Sequence, residues 1–395
     1  MQIQEPNQSS GFALFNLAFR PFFLFAAVTG LLLMVHWLAL LGKGQLTYNY
    51  YQLSQLWHGH EMLFGYAVAV IVGFLMTAVR NWTSIQTPYG KTLAGLFLIW
   101  LSARLLPVIA EFITPIPSSV IAAVDLAFLP LVALAISLPI IRSGNHRNLI
   151  FTVILIAMTI ANLLTHLQLL GFTESTLAKG MQLELGLIVV MMCVMGGRVI
   201  PFFTERAMAF EAKRFSWIEK SIIPLAAGWL ICDLFQLHLL SSVLAGVNAM
   251  VHFIRLAGWF KARMFRNPLI WILHLAYLFI PLGFMLDALS GFAMVSPYLA
   301  THAFAAGAIG SMTIGMMARV SLGHTARPLK LAKITIVAFA LMVAAGVIRT
   351  FLPMIPELYT MAIHLSGGLW ILAWGLFLIP YTPILLKPRA DGQFG

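Results

Sequence analysis

PLIWILHLAYLFIPLGFML, residues 268–286, decides the fold. These nineteen residues hold no Asp, Glu, Lys or Arg, and Arg266 and Asp287 stand just outside them. A helix of about 20 such residues, rising 1.5 Å per residue, crosses the hydrocarbon core of a bilayer. The pattern recurs along a 395-residue chain that is 61% hydrophobic and 9% charged. Twelve spans are expected, at 19–41, 57–79, 91–110, 118–141, 147–170, 180–201, 217–238, 241–260, 268–288, 297–318, 331–352 and 358–385, with a tight Leu239–Leu240 turn between the seventh and eighth. The reading is an all-α polytopic membrane protein, one transmembrane domain over 1–395. The spans use nearly the whole chain, so no soluble catalytic domain is expected. The polar start from Met1 to Gly11, with Glu5, is unlike a cleavable signal peptide.

The formal net charge is +11. The basic residues fall in short clusters between spans, a pattern that topology explains and nucleic-acid binding does not. Of the 24 Lys and Arg, nineteen fall on the side of the N-terminus and four (Lys43, Arg104, Lys179, Arg349) on the other, with Arg255 inside a span. Basic loops stay in the cytoplasm, so both termini are expected there. The two cysteines, Cys193 and Cys232, lie within spans and imply no structural disulfide. No Cys-x-x-Cys-His occurs, so any haem is held non-covalently.

Working outward from residue 268, Arg266-Asn267-Pro268-Leu269-Ile270 resembles Arg147-Asn148-Leu149-Ile150, and Arg20-Pro21 is a shorter echo. Arg319-Val320 with Thr325-x-Arg327 resembles Arg198-Val199 with Thr204-x-Arg206, and Val79-Arg80 is a weaker match. The spacings suggest three four-helix repeats, 19–141, 147–260 and 268–385, around a pseudo-threefold axis. By analogy alone, the core subunit of haem–copper oxidases has twelve helices in three arcs, with haem-ligating histidines on its second and tenth.

Eleven histidines punctuate this apolar chain. His36, His58, His60, His166, His238, His302 and His364 fall in the outer part of their spans, His252 and His274 deeper, and His146 and His324 at the cytoplasmic face. Ionisable groups inside spans point to function, and histidine is the commonest metal ligand. For any one of them the competing reading is an interhelical hydrogen bond.

Trp57-His58-Gly59-His60-Glu61-Met62 is the strongest motif. On a helix, His58 and His60 lie about 200° apart, so they serve two centres, or one binds and the other orients. Glu61, on the face of His58, would orient an imidazole or relay protons. His302 opens a run of small residues to Ser311, a face that admits a flat macrocycle or another helix. His60 and His302 are the preferred ligands of a haem b in the outer half of the bilayer, with His58 the alternate and His364 or His274 completing a second metal or the distal pocket. Copper is a further candidate. Met191-Met192-Cys193-Val194-Met195 offers soft sulfur of the kind that suits Cu(I), though methionine is also ordinary core filler. Arg255 needs an anionic partner: a haem propionate, Asp233 or Asp287.

The chain resembles the NnrS family of bacterial membrane proteins. The likeness runs from Phe19-Arg20-Pro21-Phe22-Phe23 to Lys387-Pro388-Arg389-Ala390-Asp391-Gly392. It rests on W-H-G-H-E-M-L-F-G-Y (57–66), G-G-R-V-I-P-F-F-T (196–204) and H-A-F-A-A-G-A-I-G-S-M-T-I-G-M-M-A-R-V-S-L-G-H-T-A-R (302–327). Ala326 departs from the glycine expected in the last motif. The resemblance implies a haem- and copper-containing protein of the bacterial inner membrane, linked to nitric oxide metabolism and nitrosative stress. The expected function is binding and reducing or detoxifying nitric oxide with an electron donor the sequence does not name. The alternatives are a non-enzymatic haem or copper sensor or transport protein, and a metal-free transporter.

Overall fold

A computed structural model describes residues 11–41 and 48–395, and Lys43 therefore lies outside the described residues. Among them the secondary structure is helical throughout, with no strand. Lipid offers backbone groups no partner, so an apolar chain of this kind must satisfy them within helices. Twelve long helices form: α1 (Phe19–Leu41), α2 (Ser54–Thr83), α3 (Gly90–Phe112), α4 (Ser118–Arg142), α5 (Leu149–Leu169), α6 (Thr176–Met208), α7 (Ser216–Leu234), α8 (His238–Trp259), α9 (Pro268–Gly291), α10 (Pro297–His324), α11 (Lys333–Phe351) and α12 (Tyr359–Leu386).

Eleven of the twelve are long and apolar enough to cross a membrane. The exception is α7, which carries Glu219, Lys220 and Asp233 in 19 residues. The turn between α7 and α8 is not at Leu239–Leu240, which lie inside α8. It falls at Phe235–Leu237, where Gln236 takes the left-handed conformation (φ 58°). A polar side chain tolerates that backbone better than a leucine. The start of α9 follows local chemistry: Pro268 occupies the first turn and the Asn267 side chain accepts from Leu269 N at 3.1 Å.

The chain divides into two compact units. The first comprises residues 1–184, 317–329 and 378–395. Its aromatic centre is Phe22, whose ring meets those of Phe97, Trp100 and Phe128 at 5.7–6.1 Å. Buried Arg20 closes it by donating to the carbonyls of Leu385 (2.9 Å), Lys387 (2.8 Å) and Gly395 (2.7 Å).

The second unit comprises residues 185–316 and 330–377. Its helices meet at glycines. A Cβ on Gly346 would stand 2.7 Å from Gly307 Cα, and one on Gly307 would stand 2.2 Å from Phe279. The small-residue face after His302 is thus filled, in this unit, by α9 and α11. Close helix approach is what such residues permit in membranes.

Candidate metal centre

Two stretches of the described residues are π-helical: Glu61–Ala67 in α2 and Ala303–Ile309 in α10. Each begins at the residue after a histidine singled out above, His60 and His302. The wider turn frees carbonyls and re-aims side chains, and such turns collect at functional sites. In α2 the carbonyl of Gly65 accepts from Trp100 Nε1 at 3.1 Å. Gly65 is also where α3 comes close, since a Cβ there would lie 3.0 Å from Glu61 Oε2 and 3.1 Å from Arg104 Cδ. The space a side chain would fill is taken by an ion pair.

That pair is part of a buried cluster on four helices and one loop of the first unit. Arg104 of α3 donates to Glu61 Oε1 and Oε2 at 3.1 Å and pairs with Asp125 of α4 through Oδ1. The other oxygen of Asp125 faces two imidazoles: His166 Nε2 of α5 at 3.0 Å and His60 Nε2 of α2 at 3.3 Å. The two rings stand 5.4 Å apart, edge to face. His60 and His166 are fully buried, and Glu61, Asp125 and Arg104 are buried as well. One ligand atom each from His60, Asp125 and His166 lies within 4.8 Å of the others, the only such trio of His, Cys, Asp or Glu among the described residues.

The Nδ1 atoms are held from outside by the loop before α2. Tyr50 OH lies 2.6 Å from His166 Nδ1, and Tyr51 OH lies 3.1 Å from His60 Nδ1 while donating to Glu61 Oε1 at 2.7 Å. Burial pushes both hydroxyls above the ordinary phenol range, and Asp125 and Glu61 respectively push the same way, so both stay protonated. Because the Tyr51 proton goes to Glu61, its oxygen accepts from His60 Nδ1–H. That tautomer leaves His60 Nε2 bare, facing Asp125 Oδ2 and, at 3.1 Å, Asn162 Oδ1. With Asp125 Oδ2 at 3.3 Å, that contact takes either a proton on Nε2 or a metal ion between the two atoms. The charges agree: two carboxylates face one guanidinium, and one more cation balances the cluster. Two imidazoles and a carboxylate suit a first-row divalent metal, and Tyr50, Tyr51, Glu61 and Arg104 supply the surrounding contacts that fix ligand orientation.

The other expected site residues have separate settings. Glu61 Oε1 lies 3.3 Å from His60 Nδ1. His58 instead stacks on Trp37, centroids 4.5 Å apart and planes 13°. His302, half-buried in the second unit, donates from Nδ1 to Tyr298 O at 2.7 Å, which leaves its Nε2 lone pair free. His364 is exposed near the start of α12. Both nitrogens of His274 face backbone carbonyls, Ile270 O at 3.0 Å and Trp259 O at 3.4 Å. Its expected neighbour Tyr277 bonds His252 Nδ1 at 2.6 Å instead. Arg255 pairs with neither Asp233 nor Asp287. Glu219 of α7 takes its Nε at 2.9 Å and its Nη2, while Cys193 O (2.8 Å) and Tyr277 OH (2.9 Å) take Nη1. Gly196 and Gly197 face this contact, since Cβ atoms there would meet Tyr277 and Arg255 at 2.7 and 1.8 Å.

Asp125, Arg104, His166, Tyr50 and Tyr51 were not among the expected site residues. Three of them carried a signal: an Asp, an Arg and a His, each within an apolar span. The tyrosines carried none, because only folding brings their loop over the two imidazoles.

The fold and this cluster define a polytopic membrane protein with a buried imidazole–carboxylate centre. The chain matches the family described as NnrS protein over residues 13–389, and it belongs to that family. Comparison with curated proteins gives no match.

Proposed function

We propose that this chain carries a metal ion on His60, Asp125 and His166 and handles nitric oxide at or near it, as a member of the nitric oxide response in a bacterial inner membrane with both ends in the cytoplasm. The observation that carries the reading is the convergence of His60 Nε2, His166 Nε2 and Asp125 Oδ2 in a cluster one positive charge short of balance. The family supplies the link to nitric oxide, haem and copper. When bound, the metal supplies a Lewis-acidic, redox-active centre for a small diatomic ligand. Arg104 holds the two carboxylates in place, and Tyr51 and Glu61 fix the ring of His60. Reduction of two nitric oxide molecules to nitrous oxide takes two electrons and two protons, from a donor outside this chain.

A non-covalent haem b belongs to the same reading. His302 is its best-prepared ligand, because the Nδ1–H bond to Tyr298 O leaves Nε2 bare. The twelve helices form three four-helix repeats in the same reading. A second reading, binding or sensing without turnover, is favoured by the complete burial of His60 and His166.

Elemental analysis and optical spectra of the detergent-purified protein test the centre. His166→Ala and Asp125→Asn are expected to lose one metal per chain while His274→Ala keeps it. Equal metal in all three sinks the site. His302→Ala is expected to lose haem or change its spectrum. Consumption of nitric oxide by the reduced protein separates turnover from binding, and Glu61→Gln is expected to slow consumption while keeping binding.

A further inference from the structure

A second polar feature of the first unit lies where α3 begins and α4 ends. A cavity of about 530 Å³ opens between the start of α3 and the end of α4, lined by residues 85–92 together with Ala135, Leu138, Pro139 and Arg142. Its floor is fixed: Gln86 accepts from Arg80 Nε at 2.9 Å and donates to Thr87 O at 3.1 Å. Its lip is fixed too. Gly90 N donates to Phe15 O at 2.8 Å, and the φ of +56° there suits glycine. Two cations line this cavity, Lys91 and Arg142. Both are exposed, no carboxylate lines the cavity, and neither has an ion-pair partner among the described residues.

The apolar wall continues out of the cavity. Leu131, Leu134, Leu138 and Ile141 follow one another at helical spacing along α4, and all four side chains are exposed. On a membrane span that ridge faces lipid. We infer that the cavity seats the phosphate headgroup of an anionic phospholipid, with Lys91 and Arg142 on the phosphate and an acyl chain along the α4 ridge. Two features join here: a pair of uncompensated charges at the depth of headgroups, and an apolar track leading from them into the hydrocarbon. A free phosphate ion would use the first and gain nothing from the second. Basic pockets between spans are recognised sites for anionic lipid.

The test uses full-length protein reconstituted in mixed phosphatidylglycerol and phosphatidylcholine vesicles, with retained lipid read by native mass spectrometry. The parent protein is expected to retain phosphatidylglycerol preferentially. Lys91→Gln with Arg142→Gln is expected to cut that retention about 25-fold, at roughly 1 kcal/mol per basic residue near the surface. Leu138→Asn is expected to weaken it while leaving both charges in place. Lys330→Gln with Lys333→Gln, exposed lysines that do not line the cavity, is expected to leave it unchanged. Each single variant, Lys91→Gln or Arg142→Gln, reads the same effect at about 5-fold if the double variant folds poorly. Parent-like retention in the charge variants overturns the proposal. So does an equal loss in the Lys330 and Lys333 control, which would mean diffuse surface charge. So does full displacement of the lipid by inorganic phosphate, which would make the site a free-phosphate one.

Discussion

The two compact units each contain a buried arginine, a tyrosine, a histidine and a carboxylate, and they use them differently. In the first, Arg104 braces Glu61 and Asp125, and the carboxylates in turn face His60 and His166. In the second, Arg255 is itself held, by Glu219, Cys193 O and Tyr277, and the chain ends on one imidazole, His252. The first gathers three ligand groups around an uncompensated negative charge. The second pairs one guanidinium with one carboxylate and is balanced as it stands. Residue types alone do not distinguish a metal centre from a structural ion pair. Convergence and charge count do.

Breaking each arginine should separate the two. Arg104→Leu leaves Glu61 and Asp125 buried without their cation, and a buried pair broken on one side costs about 3–5 kcal/mol. Thermal unfolding in detergent is expected to show that loss together with loss of bound metal. A variant that melts like the parent would mean the cluster is not held by Arg104. Arg255→Leu is expected to cost less, about 1–3 kcal/mol, because the Glu219 side chain is 32% exposed and water can solvate it. It should leave metal content unchanged, and an equal loss of metal would erase the contrast drawn here.

Gly197→Ala sharpens the comparison further. Its new Cβ would meet the Arg255 guanidinium at Nη2, which must swing aside and loosen its bond to Glu219. A cost of about 1–2 kcal/mol is expected, close to that of Arg255→Leu and not additive with it. Additive losses in the double variant would show that the two residues act separately. The smallest effect on metal content is expected of Tyr51→Phe, which removes the hydrogen bonds to Glu61 and His60 at about 1.5–3 kcal/mol. It also frees His60 Nδ1 from its tyrosine contact, so the ligand spectrum of the bound metal should shift while metal content holds. An unshifted spectrum would remove Tyr51 from the centre.

The histidines show how far the sequence carried. His60 and His302 stood out for depth and context, and each proves to be followed by a π-helical turn. Glu61 was expected to orient an imidazole, and the imidazole it meets is that of His60, at 3.3 Å. Arg255 inside a span calls for an anion, and its partner Glu219 lies 36 residues away near the start of α7, where no local pattern links the two. The small residues after His302 were read two ways, and within the second unit Phe279 and Gly346 fill that face.

By itself, the sequence determined that this chain is a series of helices apolar enough to cross a membrane, with imidazoles set inside them. Runs of apolar residues and their charged ends are properties of contiguous chain, and lipid enforces helix on any such run. Only the tertiary structure decided which imidazoles meet. His60, Asp125 and His166 are separated by 65 and 41 residues and lie on three helices. The loop bearing Tyr50 and Tyr51 completes the site from outside. No local period links such positions; helix packing, the π turn in α2 and the space left open at Gly65 bring them together.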